Sequence, residues 1–370
     1  MKKRRIKKKI FTFVITVILT VILVIFLKNQ SNNVNKKSNK TDNNPVVETT
    51  DGNRKMSLLA VGDVLIHESV YKDALTNNGY DFSKMFEYIK PITKKYDLNF
   101  CNQESIIGGS TLGISGYPSF NSPDEIGDEM VDLGFNLISL ANNHTLDKGE
   151  DAVLYSNSYW KSKNVITAGS YSSIEERDKV NIYEENGIKY AFLAYTTTSN
   201  GKTNKSYLLN MYSADKAKKD IEAVKDQVDV IVVSMHWGIE FSNEISTQQQ
   251  EIASYLSSLG VNLIIGTHPH VVQPVNYVGD TLVIYSLGNV ISNQLSLGLN
   301  QGIGLMVGMD INVSEAGVVT FDNLYKELIL AYAENSTNFK VIPFSKLNND
   351  LLSDYKNVEQ KYMNIVNEGA

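Results

Sequence analysis

Cysteine is close to absent from this 370-residue chain, which holds only Cys101. A single thiol excludes an intramolecular disulfide and any zinc site built on cysteines. Cys101 sits inside an apolar run, which makes it a buried small hydrophobe rather than a nucleophile. Acidic side chains are missing from residues 1–28, which hold eight basic ones. The rest of the chain carries 27 basic against 41 acidic side chains, so the net charge of −6 averages two unlike parts. A folded part with that acidic excess lacks the basic face of a nucleic-acid binder, and no nucleic-acid partner is expected. Seven prolines and 24 glycines are too few for a collagen-like fibre, and 42% hydrophobic content excludes a disordered chain. One large domain or two ordinary ones remain.

The opening MKKRRIKKK puts seven positive charges into nine positions, and residues 10–27 follow as an apolar run whose polar groups are Thr12, Thr16 and Thr20. Eighteen helical residues span roughly 27 Å, close to the roughly 30 Å of a bilayer core. The threonine hydroxyls can bond back to carbonyls of the same helix. The pattern predicts a single transmembrane anchor over 10–27, with a cytoplasmic basic segment at 1–9 and everything later outside the cell. A cleaved signal peptide fits less well, because the run is long and FLKNQSNN offers no small-residue cleavage site. Residues 28–55, rich in Asn, Lys and Ser, read as a disordered linker.

From residue 56 on, short β-branched runs alternate with amphipathic stretches. Strands are expected at 57–63, 97–104, 135–144, 228–238, 261–270 and 280–289, with hairpins at 182–196 (turning at Asn186-Gly187) and from GIGLMVGMDINV into GVVTFDNLYKELI. The clearest helix covers 247–259, capped by Ser246 with Gln249 three residues on and stopped at Gly260. The strands are continuous apolar runs rather than alternating ones, so both their faces should be covered. This is an α/β layered domain, and its extra hairpins suit an α-β-β-α sandwich. LGFNLISLANNH (133–144) and LGVNLIIGTHPH (259–270) align without gaps, as duplicated halves would or as two ordinary strand-helix units would. Residues 56–320 form the expected main domain. Residues 321–370 form a C-terminal extension packed on it, with a terminal helix near 345–367.

All five histidines (His67, His144, His236, His268 and His270) follow apolar strands, at the edge where α/β sheets bind ligands. Beside them stand Asp63, Asn102, Glu104, Asn142, Asn143 and Asn289. Carboxylate, imidazole and amide oxygen without thiolate are the ligand set of Mn, Fe or Zn. His268 and His270 would point to one face if their strand continues through Pro269. A carboxylate between two cations can hold them ~3.5–4 Å apart and orient water for attack on phosphorus or a carbonyl. Plainer roles exist for several of these residues. Asn142-Asn143 could be a turn, Asp63 a helix cap, and Trp237 a core side chain, which is the preferred reading for it. The segment SGYPSFNSPDE (115–125) is either a loop near the site or a lead into the next helix.

VGDVLIH, Asn102-Gln103-Glu104, ANNHTLDKG, HWGIE, GTHPHVVQP and YSLGN occur in the order seen in CapA-type proteins, which the chain resembles over about residues 57–310. These are poly-γ-glutamate capsule biosynthesis proteins with a calcineurin-like metallophosphatase fold. The resemblance implies a four-layer α-β-β-α sandwich and a divalent-metal site of two ions. Asp63, Glu104, Asn143, His236, His268 and His270 would be ligands, with Glu104 in the bridging place. His144 would be the catalytic acid, and His67, Asn102, Asn142, Trp237 and Asn289 would contact substrate or support the ligands. Two departures stand out. Leu65 occupies the position where metallophosphatases carry a histidine, with His67 two residues later, and the bridging aspartate is replaced by Glu104. One metal position is therefore expected to be built differently. The implied function is synthesis, export or attachment of an anionic capsule polymer at the membrane, with capsule-synthesis membrane proteins as partners. The alternatives are a secreted phosphoesterase acting on a phosphoester substrate and a polymer-handling subunit without turnover.

Overall fold

The computed structural model describes residues 53–369. The expected anchor and most of the expected linker lie outside them. Among the described residues, no helix is long and apolar enough to cross a membrane.

In chain order the strands are β1 (Arg54–Val64), a small hairpin of β2 (Leu75–Thr76) and β3 (Gly79–Tyr80), β4 (Leu98–Gln103), β5 (Leu137–Ser139), β6 (Ile166–Ala168), β7 (Ile182–Glu185) and β8 (Ile188–Thr196). Then follow β9 (Val230–His236), β10 (Leu263–Thr267), β11 (Val275–Val278), β12 (Thr281–Ile284), β13 (Asn289–Ile291), β14 (Ile303–Val313), β15 (Val319–Glu334) and β16 (Thr337–Pro343). One sheet has the order β16-β15-β14-β1-β4-β5-β6, with β13 also paired to β1. The other runs β11-β12-β10-β9-β8-β7. Strands β1, β4, β5 and β6 are mutually parallel, as are β8, β9, β10 and β12, while antiparallel hairpin partners β7 and β11 close the second sheet and β16 closes one edge of the first.

Side-chain alternation within these apolar strands builds the layers. From β1 and β4, Leu58, Ala60 and Phe100 pack with Phe192, Val232 and Ile265 of the other sheet, forming the core between the two sheets. The Phe100 and Phe192 ring centroids are 6.1 Å apart. Leu59, Val61 and Cys101 face the opposite way, against Val70, Ile126, Met130 and Trp160 of the helices covering the first sheet. On the far side, Leu193 and Val233 meet Ala217, Ile221, Ile252 and Leu256. Helix, sheet, sheet and helix are thus stacked in four layers. The helix Thr247–Ser258 carries the expected capping box, with Ser246 and Gln249 serving each other's backbone N–H groups.

Both copies of the aligned segment take the same form. Each is a helix, a glycine at positive φ (Gly134 at 99°, Gly260 at 90°), a short strand and a loop ending in histidine. One unit lies in each sheet, as β5 and β10.

The boundary expected after residue 320 falls within β15, which pairs with β14 along its length and with β16 beyond. The later residues therefore continue the first sheet, because cutting at 320 would break one uninterrupted antiparallel ladder. The terminal helix is shorter than expected, Tyr355–Val366, and sends Tyr362 and Val366 into the inter-sheet core.

Candidate metal centre

The C-terminal ends of β1, β4, β5, β9 and β10 converge from the two sheets. At the end of β1 the backbone must pass close to Gly288, whose carbonyl accepts the Asp63 N–H at 2.9 Å. A Cβ at position 62 would overlap that carbonyl oxygen, so Gly62 permits the approach that places Asp63. Asp63 Oδ1 accepts from Asn102 Nδ2 at 2.8 Å, and its Oδ2 lies 3.3 Å from His270 Nδ1.

Glu104 follows β4 and is completely buried. Its Oε1 is 3.8 Å from His236 Nε2 and 3.6 Å from His270 Nε2. Neither carboxylate oxygen has a hydrogen-bond partner among the described residues. Burial, reinforced by nearby Asp63, pushes this carboxyl well above the usual range. Burial likewise holds His236 well below its ordinary value and brings His268 down to about 4. Neutral imidazoles are the form that ligates metal.

Two groups of three side chains bring one ligand atom each to within 4.8 Å of one another: Glu104 with His236 and His268, and Asp63 with Glu104 and His270. Glu104 belongs to both. Asn143 joins the first group, with Oδ1 2.9 Å from His236 Nε2. A carboxylate with two orphaned buried oxygens, ringed by neutral imidazoles, costs several kcal/mol unless a cation compensates it. The donor set is compatible with divalent metal binding.

The supporting residues are legible bond by bond. His236 Nδ1 lies 3.0 Å from Thr267 Oγ1, and His270 Nδ1 lies 3.0 Å from Asn289 Oδ1, so each ring is held from its rear. Asn142 donates to the Gln103 carbonyl at 2.9 Å and accepts from the His144 N–H at 3.1 Å, which ties the β4 and β5 loops together. His144 Nδ1 donates to Asp147 Oδ2 at 2.7 Å, and that same oxygen accepts the Phe120 N–H at 2.7 Å. Phe120 packs edge-on to the His144 ring at 4.7 Å. Residues 115–123 therefore form a loop at the site that leads directly into the helix Asp124–Asp132.

Residues 57–294 match the family described as "Bacterial capsule synthesis protein PGA_cap". The chain belongs to that family. It is similar to the PGA biosynthesis protein CapA of Bacillus subtilis (strain 168), with 27% identity over 252 residues, or 65% of this chain and 64% of that protein. The Capsule biosynthesis protein CapA of Bacillus anthracis is 25% identical over 264 residues, or 65% of this chain and 61% of the relative. The match thus spans somewhat less than two thirds of either relative's length. Among solved structures, the Haemophilus influenzae NAD nucleotidase aligns at TM-score 0.45 and 15% identity, over 83% of this chain and 56% of its own. The 5'-nucleotidase of Candida albicans aligns at TM-score 0.45 and 12% identity, over 83% and 57% respectively.

Two expectations about this PGA_cap protein's site need correction. The strand carrying His268 and His270 does not continue through Pro269. It stops at Thr267, and both histidines take positive φ, 98° and 58°. They converge by a backbone reversal, braced where the His268 N–H meets Asp63 Oδ2 at 3.3 Å. Trp237 takes the core place preferred for it and not the implied place at the site: its side chain reaches no ligand group, and only its backbone N–H donates to the Thr267 carbonyl, at 3.1 Å. It is buried behind the second sheet, stacked on Tyr285 with its Nε1 donating to the Tyr285 carbonyl, because the residue after His236 points to the opposite face. His67, expected to contact substrate or support the ligands, stands in neither three-residue group and lines the cleft with His144 and His270. Its Nδ1 accepts the Asn293 N–H at 3.2 Å, and burial lowers it to about 4. Asp147, Phe120 and Thr267 were missed. Asp147 had a signal in the three-residue step from His144 in ANNHTLD, and Phe120 lies in the segment 115–125, which the sequence marks as a candidate loop near the site.

Proposed function

We propose that this capsule-family protein is a metal-dependent hydrolase held on the outer face of the membrane, acting on a phosphoester or amide bond during synthesis, export or attachment of an anionic capsule polymer. The observation that carries the reading is Glu104, buried without a donor and shared by two ligand groups beside the His144–Asp147 pair. Asp63, Glu104 and His270 would hold one ion. Glu104, Asn143, His236 and His268 would hold the other. Bound there, Mn, Fe or Zn would supply Lewis acidity and a water ionised near neutral pH.

The chain's own residues do the rest. Asp147 takes the Nδ1 proton of His144 as a hydrogen bond, which leaves Nε2 as the atom that hands a proton to the departing oxygen or nitrogen. Phe120 limits the rotation of that ring and shields one edge from water. The hydrophobic run at 10–27 and its cationic flank support a single-pass anchor with the N-terminus inside. Capsule-synthesis membrane proteins are the expected neighbours there.

A second reading, a polymer-handling subunit that binds metal without turnover, draws support from the Asp63 group, which has three ligands while His67 stands outside it. Full-length protein in detergent separates the two readings. We expect about two ions per chain by mass spectrometry, with hydrolysis of an aryl phosphodiester or γ-glutamyl anilide that His144→Ala abolishes without ion loss. Failure to take up metal would refute both readings. Uptake without turnover of either substrate class would favour the subunit. A reporter joined after residue 55 should be active only outside the cell.

A further inference from the structure

We infer that the cleft beside His144 receives the uncharged, apolar side of the bond to be cleaved, and that it rejects the interior of a polyanion. This inference rests on the centre proposed above and names the kind of substrate that fits it.

The cleft has a volume of about 430 Å³ and reaches His144 and His270 at its inner end. That volume suits one ring or short acyl group together with the group being attacked. Leu65 and Phe120 form buried apolar wall, while Tyr117, Phe241 and Leu297 stand 76%, 39% and 65% exposed around the mouth. These rim residues come from three separate segments, Leu297 from the short 3-10 helix Gln294–Leu297. Their grouping at one opening is the arrangement expected of an apolar ligand site, since scattered exposure would need no account.

Charge decides the rest. Among the described residues lining the cleft there is no lysine or arginine; besides the histidines its polar side chains are the acidic Glu240 and the uncharged Tyr117, Asn293, Gln294 and Ser296. A carboxylate held in the outer part of this space, away from the centre, would lose water and find no cationic side chain, next to an acidic one. Poly-γ-glutamate carries a carboxylate on every residue, so an internal bond would put one in the cleft whichever way the chain lay. A junction between an anionic group and an uncharged or aryl neighbour avoids that penalty. The anion would lie at the centre and the apolar neighbour against Phe120 and Leu297.

The test is a set of binding titrations on the full-length, metal-loaded protein in detergent, using phenylphosphonate, methylphosphonate and a penta-γ-glutamate. Phenylphosphonate should bind about tenfold or more tighter than methylphosphonate. The uncharged Leu297→Asn should lower phenylphosphonate affinity about tenfold, towards that of methylphosphonate. Glu240→Lys should raise penta-γ-glutamate affinity by about tenfold. Equal affinity for the two phosphonates, or penta-γ-glutamate binding as tightly as phenylphosphonate, would overturn the inference. Benzyl alcohol needs no metal, so its saturation-transfer signal on metal-free protein keeps the cleft's failure separate from the centre's. A signal that Leu297→Asn weakens supports the cleft even if the centre takes up no ion, and its absence from the unsubstituted chain overturns it.

Discussion

Glu104→Gln should change stability in opposite directions with and without metal. Without metal, Glu104 is a fully buried carboxylate whose two oxygens meet no donor. Burial already raises this carboxyl well above the usual range, so at lower pH the metal-free group sheds its desolvation cost by taking up a proton. In alkaline buffer, where it is ionised, neutralising it by substitution removes a desolvation cost of about 1–3 kcal/mol. Gln has nearly the same shape, so no cavity opens against that gain. At roughly 2 °C or slightly more per kcal/mol for a domain of this size, the chelated variant should melt about 2–6 °C above the unsubstituted chain in that buffer. With metal the sign reverses. The shared carboxylate would carry the negative charge closest to both ions, and its loss should weaken ion binding by about tenfold to a hundredfold or more, taking away ligand-linked stabilisation of about 1.4–2.7 kcal/mol at saturation. Calorimetric melting in chelator and in excess Mn or Zn reads both arms. A variant that melts lower in alkaline chelator, or that gains as much from metal as the unsubstituted chain does, would refute the assignment of Glu104 as a buried anion awaiting cations.

Asp147→Asn should cut turnover by about a hundredfold to ten-thousandfold with ion content unchanged, because the amide can leave His144 in the wrong tautomer; equal loss of bound metal would instead mark Asp147 as structural. Arg177→Met should cost about 3–5 kcal/mol, since Asp220, which receives Arg177 Nη2 at 2.9 Å and Tyr195 OH at 2.9 Å, would be left buried without its cation. Denaturant titration checks this, and adding Asp220→Leu should recover most of the loss. Arg54→Ala probes an ion pair at a half-exposed site, where hydrogen bonding to Arg54 holds the Asp229 carboxyl below its usual value. A depressed carboxylate stabilises the fold above its unfolded titration and stops doing so as pH falls through its folded one. The loss in Arg54→Ala should therefore be below about 1 kcal/mol at pH 7, after allowance for solvent screening, and vanish in acid. A loss that stays constant from pH 7 to pH 2 would refute it.

Much of the fold and the list of site residues could be read from local pattern. The helix ended by Gly260 is an example, because its capping box and left-handed stop involve residues a few positions apart. The hairpin at Asn186-Gly187 is another, since the turn chemistry sits in two adjacent residues with φ of 49° and 78°. Strand ends announce themselves the same way, and that is why Asp63, Glu104, Asn143, His144, His236, His268 and His270 were found together. The end of the domain was harder. An apolar, β-branched segment around residue 320 reads alike as an extension or as a continued sheet, and its pairing with β14 is a long-range choice.

What the sequence by itself determined is therefore the chemical inventory and its place at the C-terminal edges of strands. Tertiary structure decided the grouping: Glu104 shared between two sets of ligands, His67 excluded from both, Trp237 turned into the core, and Asp147 set behind His144. The physical reason is range. Apolar runs, caps and turns act over a few residues. Asp63 meets His270, and Glu104 meets His236, only because two separately formed sheets pack face to face through Phe100 and Phe192 and bring their polar ends to one place.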